Sequence, residues 1–223
     1  MWIYLNARYG ITRSNPQNFS RQEMSANSIK IFKKEAKFIA GAAKINQLPK
    51  IYLQQIAFIG KSNVGKSSLV NKVCNRKFLA KVSHTPGRTQ QINFFSIEEK
   101  FLLVDLPGYG FAKVPGYTRA DWERLISFYL ENTPQLKLVN LLIDSRRGFK
   151  ENDWLMMSFL QKAALKFQII FTKSDEIKSH EEFVKEMSNM LVLHGYNDIE
   201  IIMTSSRKGD GIKELQSNML KYL

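Results

Sequence analysis

Cysteine is nearly missing from this sequence: Cys74 is the one thiol in 223 residues. A lone thiol cannot close an internal disulfide or build a cysteine zinc site, and its rarity favours a reducing compartment. Long apolar runs are missing too, since no stretch approaches the roughly 20 residues that a membrane-spanning helix needs. Acids are scarce: 20 Asp and Glu stand against 33 Lys and Arg, a formal net charge of +13. Such an imbalance favours a polyanionic partner, most often nucleic acid or an anionic membrane. Internal repeats and low-complexity tracts do not occur. What is present is an ordinary apolar fraction of 44%, on a chain long enough for one α/β domain with small extensions.

Residues 1–28 mix Asn, Ser, Gln and Arg with scattered aromatics, and Glu23 is their only acid. They read as a disordered extension, with Met24 as an alternative start and a transit peptide as the competing reading. Residues 29–50 are basic and amphipathic, a short helix running into an edge strand that ends at Pro49 and packs on the main domain. That domain spans residues 51–223. Strand-like runs fall at 51–59, 92–97, 101–104, 138–143, 167–171 and 199–203, and helix-like stretches at 67–75, 119–131, 153–164, 181–194 and 212–223. The strands are continuous Val, Ile, Leu and Phe runs, as expected when both faces of a parallel sheet are covered. Only Glu98, Glu99 and Lys100 separate the second and third runs, too few residues for a crossover helix, so these two pair as an antiparallel hairpin. The expectation is a doubly wound, mostly parallel, six-stranded α/β sheet with one antiparallel edge strand.

Between the first strand and first helix stands Gly60-Lys61-Ser62-Asn63-Val64-Gly65-Lys66-Ser67. This matches G-x-x-x-x-G-K-[ST] without a mismatch. Two glycines let the backbone wrap a polyphosphate with its N–H groups pointing inward, at a helix N-terminus whose dipole favours anions. Lys66 offers a charge to the β- and γ-phosphates and Ser67 a hydroxyl to Mg²⁺. Asp105-Leu106-Pro107-Gly108 ends the hairpin's second strand. An acid there can hold Mg²⁺ through a water, and the Gly108 N–H can approach a γ-phosphate. Between the two elements, Thr85-Pro86-Gly87-Arg88-Thr89-Gln90 has the composition of a switch loop, with the Thr89 hydroxyl as a second Mg²⁺ ligand.

Thr172-Lys173-Ser174-Asp175 follows the fifth strand run. Asp175 can accept from guanine N1–H and N2–H₂, donors that adenine does not present there, and an unpaired buried carboxylate is costly enough to reject adenine. The stem of Lys173 can cover the base plane. Thr204-Ser205-Ser206, after the last strand, is placed to meet guanine O6 through its backbone. His84 in the switch segment reads as an ordinary solvated loop histidine, and the aromatics of residues 121–129 recur at helical spacing, as core residues do.

These elements in this order resemble the TRAFAC-class GTPases. The wording of the phosphate loop, of the Thr85 to Gln90 segment, of Asp105-Leu106-Pro107-Gly108-Tyr109-Gly110 and of Thr172-Lys173-Ser174-Asp175 resembles the EngB (YihA/YsxC) family more closely still. The resemblance covers about residues 37–223. It implies a GTPase of large ribosomal subunit maturation, acting in the bacterial cytoplasm or, alternatively, an organelle matrix, as a monomer without a membrane role. It implies Ser67 and Thr89 as Mg²⁺ ligands, and a nucleotide site lined by residues 60–67, by Gly87, Arg88, Thr89, Gln90 and Gln91, by residues 105–108, by residues 172–175 and by Thr204, Ser205 and Ser206. Ribosomal RNA as partner accounts for the charge, with Arg76, Lys77, Lys81, Arg88, Arg146 and Arg147 as candidate contacts. For hydrolysis the candidates are Lys66, Thr89, Gly108 and Asn63. A Ras-type enzyme has Gln after Asp-x-x-Gly to orient water; Tyr109 stands there, so slow intrinsic turnover is expected. Related GTPases use an Asn at the position of Asn63 to help hold K⁺, which makes K⁺ a candidate cofactor.

Overall fold

The computed structural model describes residues 29–80, 91–109 and 119–223. Seven strands form one sheet: β1 (Ala36–Ala42), β2 (Gln54–Gly60), β3 (Ile92–Ile97), β4 (Phe101–Asp105), β5 (Leu136–Asp144), β6 (Phe167–Thr172) and β7 (Ile201–Met203). Among the described residues five α-helices accompany them: α1 (Lys66–Val73), α2 (Arg119–Glu131), α3 (Glu151–Lys162), α4 (His180–Leu193) and α5 (Ile212–Leu220). The spatial order is β1-β3-β4-β2-β5-β6-β7. Strands β4, β2, β5, β6 and β7 are mutually parallel, while β3 runs antiparallel to both β4 and β1.

The doubly wound α/β class expected from the sequence is the one observed, but the sheet has seven strands rather than six. The added strand, β1, turns the antiparallel strand β3 from an edge into an interior strand. Its sequence, Ala-Lys-Phe-Ile-Ala-Gly-Ala, is basic and half exposed because only one side of it pairs. A register shift between Phe38 and Ala40, with an ion pair from Lys37 to Glu35, blunts the free edge. The turn before it, Ile29–Lys33, sends Phe32 into the core, edge to face with Phe101 at 5.6 Å.

Side chains alternate along each strand and so divide the core. Ala57 and Ile59 of β2 join Leu125 and Tyr129 of α2, Met157 and Leu160 of α3, and Met187 and Leu191 of α4. Ile56 and Phe58 point the other way, to Leu69, Val70 and Val73 of α1, Leu215 and Met219 of α5, and Phe32. Covering both faces is why these strands read as unbroken apolar runs. Phe128 of α2 lies on the exposed side, an exception to the core reading of that helix's aromatics.

The chain leaves β2 toward β3 and β4 on one side and returns for β5, β6 and β7 on the other, so strand order reverses at β2. In open α/β sheets the crevice outside the carboxyl ends of the strands at such a reversal is the binding position.

Candidate functional site

Five parallel strands end at that crevice, and each delivers one piece of the site. Strand β2 delivers the loop from Gly60 to Ser67, which passes directly into α1. Gly65 caps that helix at φ 100°, a conformation that a side chain disfavours, and Asn63 is also left-handed at φ 63°. The loop is held from below by Val64, whose side chain is buried in the α1 face of the core. Lys66 turns its ammonium onto Asp105 Oδ1 at the end of β4, and both groups are buried. The Ser67 hydroxyl, in the first turn of α1, has no hydrogen-bond partner among the described residues. A hard cation that keeps most of its shell from phosphates and water asks the protein for only one or two oxygens. Ser67 and Asp105 supply that donor set, and among the described residues there is no cluster of three acids, histidines or cysteines.

Strand β4 then hands over the Asp-x-x-Gly turn. Leu106 is in the core and its N–H donates to Phe58 O at 2.9 Å; Pro107 is buried as well. Gly108 lies directly on the phosphate loop. A Cβ there would stand 2.9 Å from Ser62 Oγ and 3.0 Å from Gly60 O, so a side chain at this position would require the phosphate loop to give way. Tyr109 continues the contact: its N–H donates to Gly60 O at 3.1 Å and its carbonyl accepts from Ser62 N–H at 3.3 Å. The Tyr109 side chain does not face the crevice. It is buried, and its hydroxyl donates to Asp153 Oδ1, in the first turn of α3, at 2.5 Å. Burial and the adjacent carboxylate push this phenol well above its usual range, so it stays a donor. Burial also raises Asp153, partly offset by the Tyr109 hydroxyl and by the Lys150 N–H that donates to its other oxygen at 2.9 Å.

Strands β6 and β7 build the remaining corner. Thr172 stands where the common form of this motif has Asn, and its hydroxyl donates to Val64 O at 2.7 Å, tying the corner to the phosphate loop. Lys173, left-handed at φ 59°, donates from Nζ to Asn63 O at 3.2 Å. Ser174 N–H donates to Thr204 O at 3.0 Å, which joins the ends of β6 and β7. Asp175 Oδ1 accepts from the Ser205 hydroxyl at 2.7 Å, and that bond, against burial, lowers its pKa from the ordinary carboxylate value. Ser205 also accepts from Lys208 N–H at 3.0 Å, so the loop that carries Ser206 closes over this corner. Asp175 is therefore a fixed, charged acceptor where the ends of β6 and β7 meet.

Sequence reasoning missed one residue here, Asp144 at the end of β5. Its Oδ2 accepts from Lys173 Nζ at 2.7 Å and from the Arg146 guanidinium at 2.8 Å. Burial opposes its ionisation, but these hydrogen bonds outweigh burial and hold its pKa at about 2. An acid closing a strand run as apolar as β5 was the available signal, the same signal that singled out Asp105.

Other expected residues fall differently. Gln91 does not join the loop: its side chain packs over Gly41 of β1 and donates to Asn93 at 2.9 Å, because it lies two strands away from β2. Arg76 braces the amino-terminal turn by donating to Lys34 O at 2.8 Å. Arg146 is committed to Asp144. Lys81, His84, Thr85, Gly87, Arg88, Thr89, Gln90 and Gly110 lie outside the described residues.

A sheet that reverses at β2, a phosphate loop on that strand and a base-reading corner two strands over define a P-loop GTPase. Residues 55–173 match the family model described as 50S ribosome-binding GTPase. The chain is 52% identical to the "Probable GTP-binding protein EngB" of Rickettsia felis (strain ATCC VR-1525 / URRWXCal2) over 199 residues, 89% of this chain and 93% of that protein. It is 54% identical to the protein of the same name in Rickettsia bellii (strain OSU 85-389), over 87% of this chain and 91% of the relative. The crystal structure of a probable GTP-binding protein engB superposes with a TM-score of 0.58 at 24% identity, covering 75% of this chain and 97% of that one, which supports the fold. The chain belongs to the EngB family of GTP-binding proteins.

Proposed function

We propose that this protein is a slowly hydrolysing GTP switch that acts in assembly of the large ribosomal subunit, in the bacterial cytoplasm. In this reading Gly60, Lys61, Ser62, Asn63, Val64, Gly65, Lys66 and Ser67 wrap the phosphates, and Asp175, with the Thr204 to Ser206 loop, reads guanine. Lys173 covers the base, while Thr172 holds the corner against the loop. Ser67 and Thr89 would hold Mg²⁺, with Asp105 reaching it through a water, and the ion would supply neutralisation of the phosphate charge.

The observation that carries the switch is the latch of Tyr109 on the phosphate loop. Its carbonyl accepts from the N–H of Ser62, and Gly108, whose N–H can approach a γ-phosphate, packs on the same residue. A third phosphate that draws the Gly108 N–H would pull on that latch, and a diphosphate would not. The burial of the Tyr109 phenol on Asp153 supports slow hydrolysis, because no polar group at that position is turned toward an attacking water. The ribosomal role is supported by the description of the matching family model and by the +13 charge.

The test is co-sedimentation of the full chain with large ribosomal subunits in GDP, GTP and a non-hydrolysable analogue. Binding in the analogue should exceed binding in GDP; binding indifferent to nucleotide removes the switch. Phosphate release from the same samples should be slow, and faster in K⁺ than in Na⁺ if Asn63 helps hold a monovalent cation. Equal rates in the two salts, with and without subunits, remove K⁺ from the reading.

A further inference from the structure

The outer wall of the phosphate loop borders a second recess. A cavity of about 120 Å³ lies between Lys61, Ser62 and Asn63 on one side and Arg147, Gly148 and Lys150, in the turn from β5 to α3, on the other. We propose that this recess is a binding site for a backbone phosphate of large-subunit ribosomal RNA, the partner that the proposed function assigns.

The charges around the recess are unbalanced in a particular way. Two acids line it, and both are already committed. Asp144 accepts from Arg146 and Lys173. Asp153 accepts from the Tyr109 hydroxyl and the Lys150 backbone; Lys61 and Lys150 act on it only through space. Among the described residues, the Lys61, Arg147 and Lys150 side chains make no ion pair and no hydrogen bond. The recess thus carries Lys61, Arg146, Arg147, Lys150 and Lys173 against only Asp144 and Asp153, an excess of positive charge in one small volume that an anion relieves.

The volume selects the class of anion. At about 30 Å³ for the share of each water in the liquid, the recess holds about four waters. That suits one phosphate group and is well below the roughly 300 Å³ at which pockets for drug-sized ligands begin. Compact ammonium groups with a forked guanidinium are the usual phosphate partners. The site differs from the general basic surface because its cations share a cavity; it adjoins the nucleotide crevice, with Lys61, Ser62, Asn63 and Lys173 lining both, while Arg147, Gly148 and Lys150 belong to the recess alone. Arg146, an equal candidate by sequence, is excluded by its bonds to Asp144.

The test compares the double variant Arg147→Ala/Lys150→Ala with wild type in binding to large subunits and to protein-free large-subunit RNA, across a range of KCl concentrations. Both residues are exposed and outside the nucleotide machinery, so GDP affinity serves as the folding control and should be unchanged. Affinity for both targets should fall about tenfold, and the slope of log K against log salt should shrink by about 0.7–0.9, the loss of one phosphate contact. Lys162→Ala/Lys166→Ala removes the same charge at exposed positions remote from the recess. An equal loss in that control would show a general electrostatic effect and overturn the site. So would undiminished binding by the first variant, or a loss seen with subunits but not with protein-free RNA. Failure of wild type to bind either target would instead overturn the ribosomal reading itself.

Discussion

At the scale of the residue, a carboxylate at the end of β5 decides where Lys173 points. Asp144, fixed by the Arg146 guanidinium, draws Lys173 Nζ to 2.7 Å while the same ammonium donates to Asn63 O. The lysine stem is thereby fixed between two strand ends, so under the proposed reading, in which it covers the base, its rotamer entropy is lost before binding. Asp144→Asn should therefore weaken GDP binding by about tenfold, roughly 1.4 kcal/mol, mostly through faster release, while leaving guanine preferred. Asp175→Asn should do something different in kind: it exchanges an acceptor for a donor and should move preference from guanine toward xanthine. Competition assays with GDP, XDP and ADP separate the two roles, and a change of preference in Asp144→Asn would contradict the brace. The sign with pH follows from the depressed folded value. The contribution of Asp144 is complete above the ordinary carboxylate pKa and is lost only as pH falls through about 2. GDP affinity should thus show no step from this residue between pH 5 and 8.

At the scale of the element, the Asp-x-x-Gly turn is fastened to two partners at once, the phosphate loop through backbone and α3 through a side chain. The Tyr109 phenol is one of two donors to a buried carboxylate, the other being the Lys150 N–H. Tyr109→Phe removes that donor and leaves one oxygen of Asp153 unpartnered, at a cost of about 1–3 kcal/mol. For a chain of this size the fall in Tm is about 2–4 °C per kcal/mol. The loss should be largest near neutral pH and should shrink in acid, because the variant raises the Asp153 pKa further and protonation relieves the unpaired charge. Tyr109→Gln should not produce Ras-like turnover, since the side chain at this position leads into the core and away from the crevice; a large rise in multiple-turnover phosphate release would show that the turn reorients. These contacts mark where sequence reading stops. Strands β2, β4, β5 and β6 were legible because burial on both faces makes them unbroken apolar runs, and the loops were legible because phosphate and base chemistry constrain residue type at fixed spacing. Strand β1 was ambiguous because one-sided pairing leaves Lys37 and Phe38 exposed. The Tyr109 to Asp153 contact spans 44 positions, and the Asp144 to Lys173 contact 29. Both depend on which strand ends become neighbours, which local pattern does not encode.

At the scale of the whole molecule, the site and the core share one helix. Helix α1 begins at Lys66, inside the phosphate loop, and ends at the only cysteine in the chain. Cys74 is fully buried against the α1 face of the sheet, and burial pushes its thiol up to about 12. Only a thiolate attacks a disulfide reagent, so at pH 8 about one thiol in ten thousand is competent even before access is considered. Labelling in the native protein should therefore proceed through opening of α1, orders of magnitude more slowly than in urea. Leu69, Val70 and Val73 on that helix share one buried cluster with Leu215 and Met219 of α5 and with Phe32, so exposing the thiol should require the cluster to open as a unit. GDP bound at the amino end of α1 then protects the cysteine at its carboxyl end. If labelling follows global opening, a GDP concentration one hundred times Kd should slow it about a hundredfold, by mass action on the folded state. Stopped-flow or manual thiol titration with and without GDP reads this directly. A rate that GDP leaves unchanged would mean that the end of α1 frays independently of the phosphate loop, and a native rate equal to that in urea would contradict the burial of Cys74.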